Sequence, residues 1–226
     1  YQRVLAIANK EQRGYITPQE FNLFANQVQM DMFEQYFYDL NQFRRVQGSF
    51  ESSTDMISIL EDKISIFEQF DDGATMNNYP VSGSGRILPD NLYRITRVER
   101  INRLVERLNT NDFNDVQNFS PLTDPTIERP VYNVRQNVLR VIPTTAFSSL
   151  NIHYIRRPLV VNWGYVVLNN KALYNANTSV NFELHPSEET ELVIKILSLA
   201  GIAIEDMALY QIAEAEDTRD IQQEKI

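Results

Sequence analysis

One helix start constrains the fold more than any other stretch of this 226-residue sequence. In the run ITPQEF, Thr17 is placed to cap the first helical turn, and Glu20, three residues later, can complete a capping box. Pro18 suits the first helical position, while Ile16 and Phe21 are placed to form a hydrophobic staple across the cap. These four independent signals predict a helix that begins directly after Thr17.

Apolar residues behind this start repeat at spacings of three and four, which is the period of one helical face. The helix is predicted to end near Gln47-Gly48, and at about 1.5 Å per residue it would be roughly 45 Å long. A helix of this length in a chain of this size needs another surface to lie against. The predicted apolar face consists of Phe21, Phe24, Ala25, Val28, Met32, Tyr36, Leu40 and Phe43.

Charge and composition exclude several kinds of function. The net charge of −9 and a pI near 4.8 argue against broad nonspecific binding of nucleic acid or of anionic membranes. The chain has no cysteine, so it has no disulfide, thiolate zinc site or cysteine nucleophile. Its two histidines, His153 and His185, cannot build a polyhistidine metal site. No apolar run approaches the ~20 residues of a transmembrane helix and no signal peptide is evident, so we expect a soluble, intracellular protein without a cofactor.

The pattern along the chain predicts an α+β fold in which long antiparallel helices accompany a small antiparallel β-sheet domain. The helical period stops at a turn-rich stretch containing Pro80, Gly83 and Gly85. A last helix is predicted to start at His185-Pro186, followed by a polar, extended tail. The predicted parts are an N-terminal helical part at 1–72, a β-rich part at 73–184, a C-terminal helix at 185–212 that joins the helical bundle, and a tail at 213–226.

Short apolar runs separated by turn residues predict the strands of the β-rich part. The last stretch before the final helix, Trp163 to Asn177, is interpreted as an irregular loop packed on the sheet, with an exposed aromatic binding patch as the alternative. The predicted strands are 92–101 with a hairpin partner at 104–108, a hairpin of 131–134 with 138–142, and 150–155.

Signatures of catalysis do not emerge from the residues. The nucleophile-elbow, zinc-helix, EF-hand and dinucleotide motifs are missing from the sequence. The one basic concentration, Arg94 to Arg107, has a net charge of +3, and a strand would distribute its arginines over both faces. We therefore favour assembly or binding over an enzyme. Two alternatives stay open: a nucleic-acid-binding scaffold protein using the Arg94–Arg107 run, and a carboxylate-based hydrolase.

Several stretches occur in an order that carries a family resemblance. The opening ANKEQRGYITPQEFN, at 8–22, resembles the start of a group of tailed-phage virion proteins that are common in crAss-like phages. The later matches, in chain order, are LPDNLYR at 88–94, PLT at 121–123 leading to PVY at 130–132, IP at 142–143, YIRRP at 154–158, WGY at 163–165, and FEL at 182–184 followed by EE at 188–189.

The chain thus resembles the head-to-tail adaptors, or neck ring proteins, of tailed bacteriophages, and is similar to the tail tubular adaptor class of short-tailed phages. The resemblance implies a non-enzymatic virion protein that forms a ring, expected to be a dodecamer, between portal and tail. Its partners would be the portal protein and other neck or tail rings. Genomic DNA would pass through the lumen without sequence-specific binding, and no membrane would be involved. The protein would be made in the host bacterial cytoplasm and would reside in the virion neck.

This resemblance also assigns expected contacts to particular residues. The outward face of the long helix and two aromatic residues are expected at a subunit interface, and the tail is expected to reach a neighbouring ring. The expected subunit-interface residues are Gln27, Asp31, Gln35, Asp39, Trp163 and Tyr165. The expected neighbouring-ring residues are Asp217, Arg219, Ile221 and Ile226.

Overall fold

The computed structural model describes residues 1–10, 16–45, 51–119, 124–169 and 171–203. Its helices, antiparallel sheets and one mixed sheet confirm the predicted α+β class. The chain divides into two compact units. Unit one comprises 1–66 and 158–226, and unit two comprises 67–157. The boundaries therefore lie at 66/67 and 157/158, whereas the sequence interpretation put them at 72/73 and 184/185.

The described elements have the following bounds. The helices are α1 Gln2–Lys10, α2 Pro18–Arg45, α3 Glu51–Ser65, α4 Gly73–Asn77, α5 Thr110–Phe119 and α6 Glu189–Ala203. The strands are β1 Glu68–Asp71, β2 Val81–Ser82, β3 Gly85–Ile87, β4 Leu92–Arg100, β5 Arg103–Leu104, β6 Glu106–Arg107, β7 Val131–Arg135, β8 Val138–Ile142, β9 Leu150–Arg156, β10 Tyr165–Leu168 and β11 Lys171–Tyr174.

The capping box predicted at the start of α2 is confirmed. The Glu20 backbone N–H donates to Thr17 Oγ1 at 3.2 Å, and the Thr17 backbone N–H donates to Glu20 Oε2 at 2.9 Å. Thr17 Oγ1 also donates to Glu20 Oε2 at 2.7 Å, and this bond, together with that from the Thr17 N–H, holds the pKa of Glu20 below its ordinary value. Ile16 and Phe21 are both buried in the same apolar cluster, as the predicted staple requires. The predicted end of the helix near Gln47-Gly48 lies outside the described residues.

The core of unit one forms where α2 meets α1 and α6. The α2 side chains Phe21, Ala25, Val28 and Met32 are buried, which confirms the main part of the predicted apolar face. The start of α6 is also as predicted: His185 Nδ1 accepts the Ser187 N–H at 3.3 Å before a short 3₁₀ turn leads into the helix. The core residues contributed by α1 and α6 are Val4, Ala8, Leu192, Ile196, Leu197 and Ala200.

Unit two contains two sheets instead of the single small sheet that was predicted. One has the strand order β1-β9-β4-β5 and is antiparallel; the other has the order β2-β3-β8-β7-β6, with β6 and β7 parallel. The predicted hairpin of β7 and β8 is confirmed, and its turn residues Gln136 and Asn137 have the positive φ of a primed turn. The two sheets enclose a core that includes Leu139, Leu150 and Ile152.

The predicted hairpin partner at 104–108 is confirmed only at its start, and the prediction is wrong for 106–108. Arg103–Leu104 pairs with β4, but Glu106–Arg107 pairs in parallel with β7 of the other sheet. Between them Val105 is buried, and its N–H donates to the Val98 carbonyl at 2.9 Å. Val105 therefore lies opposite Val98 with both side chains buried, so the pairing with β4 extends to Val105 before the chain crosses to the other sheet.

Candidate interaction surface

Three amide side chains on α2 hold an extended segment of unit one. The amide ladder, as we call Asn22, Asn26 and Gln29, faces the backbone of residues 159–163. Asn26 Nδ2 donates to the Val161 carbonyl at 2.8 Å, and the Val161 N–H donates to Asn26 Oδ1 at 2.7 Å. One side chain thus satisfies both backbone groups of a buried residue, as a neighbouring strand would.

The other two members of the ladder bind the same segment at alternate residues. The Trp163 N–H donates to Asn22 Oδ1 at 2.7 Å, and Gln29 Nε2 donates to the Leu159 carbonyl at 2.8 Å. The ladder residues are four and three positions apart in the sequence, so successive amides are separated by about 5 to 6 Å along one helix face. Two residues of extended chain rise about 6.6 Å, which is close enough for each amide to meet every second residue.

A β-hairpin follows this segment, where the sequence interpretation placed an irregular loop at Trp163–Asn177. Strands β10 and β11 pair antiparallel, with Tyr165 opposite Tyr174 and Leu168 opposite Lys171. Asn169 has a φ of 50°, the left-handed conformation that a tight hairpin turn needs. The interpretation was wrong because the hairpin is apolar on both faces, which hides the alternation by which a half-buried strand is recognised.

The base of the hairpin is closely packed. A Cβ on Gly164 would lie 2.7 Å from the Asn175 carbonyl oxygen, so only glycine fits between these two parts of the chain. The Asn175 N–H donates to the Gly164 carbonyl at 2.8 Å. Trp163 stacks on Tyr165 with ring centroids 5.9 Å apart, and its centroid lies 5.7 Å from that of Tyr174. The hairpin is therefore fixed to the α2 side of unit one at its base.

A cavity of about 440 Å³ lies beside this aromatic group. The ion pair of Arg3 and Glu189, at 2.9 Å, is at its wall, and the rest of the lining is mainly apolar. The polar groups that would orient a particular small molecule are few here. The main apolar lining residues are Tyr1, Val4, Phe21, Trp163, Phe182 and Leu192.

The face of the hairpin turned away from Trp163 is apolar and exposed. Because side chains alternate along a strand, Val166, Leu168, Lys171 and Leu173 share this face, which we call the hairpin outer face. The exposed fractions of its three apolar members are 54%, 59% and 50%. Lys171 is the one charged residue in 159–182, although 23% of the whole chain is charged. Contiguous exposed apolar area of this kind is typical of protein interaction sites.

Three of the four interface residues expected on α2 lie on its exposed side. Gln27, Asp31 and Gln35 are exposed, and Asp39 is half-buried and accepts a hydrogen bond from Gln35 Nε2 at 2.8 Å. Of the two aromatic residues expected at the interface, Tyr165 is exposed, whereas Trp163 is half-buried and packs against Tyr165 and Tyr174. The four tail residues expected to reach another ring, Asp217, Arg219, Ile221 and Ile226, lie outside the described residues.

The same side of α2 carries two large exposed side chains that the sequence interpretation did not select. Leu23 and Tyr38 are 67% and 64% exposed, and a helical turn of 100° per residue places Gln27, Asp31 and Glu34 between them. We call these five residues the α2 outer face. The sequence did contain a signal for this surface. Leu23 and Tyr38 are apolar residues that stand at the two ends of a row of polar residues and do not follow the spacing of the core-facing residues.

A buried charge cluster joins α2, α3 and the start of α6. The carboxylate of Glu188 is buried and forms an ion pair with Lys63, whose ammonium lies 5.6 Å from the ring centroid of Tyr36. Burial raises the pKa of Glu191, and the neighbouring Glu188 adds to this, while Lys195 at 2.7 Å opposes it. The Lys63–Glu188 pair thus joins α3 to the start of α6, whereas Glu191 and Lys195 pair within α6.

In unit two the arginines of the 94–107 run are partly neutralised. Arg97 pairs with Glu99 at 3.0 Å, and Arg100 donates to Ser149 Oγ at 2.8 Å and lies 3.5 Å from Glu128. His153 Nε2 lies 3.5 Å from Glu99 Oε1 beside a cavity of about 280 Å³. His153 is therefore a sheet residue with a polar neighbour.

Within the described ranges, no three His, Asp or Glu side chains lie close enough together to hold a metal ion. None of the helices in the described part of the chain combines the length and apolar character that crossing a bilayer requires. No protein-family model matches the chain, and a search of the curated proteins finds no significant relative.

Proposed function

We propose that this chain is a non-enzymatic structural subunit of a phage virion, forming a ring in the neck between portal and tail. The observation that carries the proposal is the hairpin outer face, an exposed apolar surface held on a firmly packed base. A monomer gains nothing from such a surface, because exposed apolar area costs solubility. An assembly subunit uses it to bury apolar area against a neighbour.

Two further features support a ring. The 28 residues of α2 supply a rod about 42 Å long on which neighbouring copies can align. The net charge of −9 per copy, repeated around a ring, disfavours adhesion of DNA passing through the lumen. The ordered motif matches to neck ring proteins point to the same place in the virion, next to the portal and other ring proteins.

The decisive experiment is the mass and shape of the purified protein. Native mass spectrometry and electron microscopy should show a closed ring with one copy number, alone or together with portal protein. Mass spectrometry of purified virions should find the chain among the structural proteins. A monomer at every concentration tested, together with its absence from virions, would refute the proposal.

The salt dependence of duplex binding distinguishes a nucleic-acid-binding scaffold from the proposed ring subunit. A scaffold that used the Arg94–Arg107 run would bind short duplexes with an affinity that falls steeply as salt rises. A ring subunit with a net negative charge should bind them weakly at physiological salt. Saturable duplex binding under those conditions, abolished by Arg94→Ala with Arg107→Ala, would favour the scaffold instead.

A further inference from the structure

We propose that the hairpin outer face docks on the α2 outer face of a second copy of this chain, with Lys171 against Glu34 and Asp31 and the apolar pair Val166 and Leu173 against Tyr38. This inference rests on the proposed ring, for which it names the subunit contact. Both faces belong to unit one, and each is built on an element whose packing is described above.

Charge complementarity is the first argument. Within the described part of the chain, Lys171 forms no ion pair, and neither Asp31 nor Glu34 has a cationic partner. The hairpin thus offers one unpaired cation in an otherwise uncharged surface, while the α2 outer face offers two unpaired carboxylates one helical turn apart. Burial of the surrounding apolar area would shield such a pair from water and strengthen it.

The spacing of the two faces matches. Lys171 and Leu173 lie two residues apart on the same side of a strand, about 6.6 Å. Glu34 and Tyr38 lie four residues apart on the same side of a helix, about 6 Å. When Lys171 meets Glu34, Leu173 and its cross-strand neighbour Val166 therefore meet the ring of Tyr38.

Docking of the hairpin on α2 of a second copy fits better than docking of two hairpins on each other. Two hairpin outer faces packed about a twofold axis would leave Lys171 without a carboxylate to pair with, because residues 159–182 contain no Asp or Glu. The hairpin-to-α2 contact joins two different surfaces of the same chain. Such a heterologous contact repeats from copy to copy and closes into a ring when the rotation allows.

The test is a charge-swap cycle on the full chain. Lys171→Glu and Glu34→Lys should each weaken self-association at least tenfold, measured as the concentration at which assemblies dissociate in mass photometry or analytical ultracentrifugation. The double variant, which restores an opposite pair, should recover most of the loss. Leu173→Asp should abolish assembly without recovery by any change on α2. All three positions are exposed, so circular dichroism and Trp163 fluorescence should match the unmodified protein.

A matched control is Glu106→Lys, which reverses an exposed charge in unit two and should leave assembly unchanged. Rings that tolerate Lys171→Glu, Glu34→Lys and Leu173→Asp would overturn the inference and leave the proposed function standing. Additive losses without recovery in the double variant would also overturn it, because the two residues would then act at separate places. A chain that never assembles would refute the ring and this contact together.

Discussion

The amide ladder makes a quantitative prediction at Asn26. Its side chain makes two hydrogen bonds, of 2.8 and 2.7 Å, to the backbone of buried Val161. Each such bond contributes about 1 kcal/mol net, and leaving a buried N–H or C=O unpaired costs about 1–3 kcal/mol. Alanine is the better helix former and returns about 0.6 kcal/mol. With two backbone groups left unpaired and the gain in helix propensity subtracted, Asn26→Ala should lower the free energy of unfolding of unit one by about 1.5–5 kcal/mol.

The assay is urea unfolding followed by tryptophan fluorescence. The chain has a single tryptophan, Trp163, which lies two residues from Val161 and donates its own N–H to the ladder. The signal therefore reports on the segment that the ladder holds. All variants must be compared at one protein concentration, because assembly adds to the apparent stability.

The control is Asn41→Ala, at an exposed position of the same helix. It carries the same gain in helix propensity without the two backbone hydrogen bonds, so its stability should change by no more than about 0.6 kcal/mol, in the favourable direction. If Asn26→Ala and Asn41→Ala unfold within about 0.5 kcal/mol of each other, the ladder does not stabilise the fold and the reasoning fails.

Three further predictions concern the caps and the buried charges. Thr17→Ala should cost about 1 kcal/mol in thermal unfolding, whereas Gln19→Ala, exposed in the same turn, should cost almost nothing. Lys63→Met leaves the buried carboxylate of Glu188 without its ion-pair partner and should cost about 3–5 kcal/mol in urea, a loss that Glu188→Leu in the same chain should largely recover. Burial raises the folded-state pKa of Glu191, so its contribution is fully present below the unfolded value near 4.5 and is lost as pH rises through the folded value. Glu191→Gln should therefore flatten the fall in stability as pH rises above about 4.5; an unchanged slope would contradict the raised pKa.

Local interactions explain which parts of the fold the sequence predicted well. The α2 start was predictable because Thr17 and Glu20 lie three residues apart and cap each other whatever the rest of the chain does. The hairpin of β7 and β8 was predictable for the same reason, since its register follows from a two-residue turn. The crossover after Val105 was not predictable, because the neighbouring dipeptides Arg103–Leu104 and Glu106–Arg107 join different sheets.

The candidate site was harder to predict because its parts are distant in sequence. Asn26 and Val161 are 135 residues apart, and no local pattern indicates that an amide on a helix will meet that backbone. The available signal was a repeat of amides at Asn22, Asn26 and Gln29, directly beside the apolar face of α2. Polar residues that keep helical spacing at the border of a core are expected to satisfy buried backbone groups.

The ladder and the hairpin outer face have separable consequences. A two-stranded hairpin is marginally stable in water by itself, and this one is apolar on both faces. Its order therefore depends on its base, where the ladder, the close approach at Gly164 and the stacking on Trp163 act together. A surface ordered before it meets its neighbour loses less conformational entropy on binding. Changes at the base should consequently weaken folding and assembly together, whereas changes at Lys171 or Leu173 should weaken assembly alone.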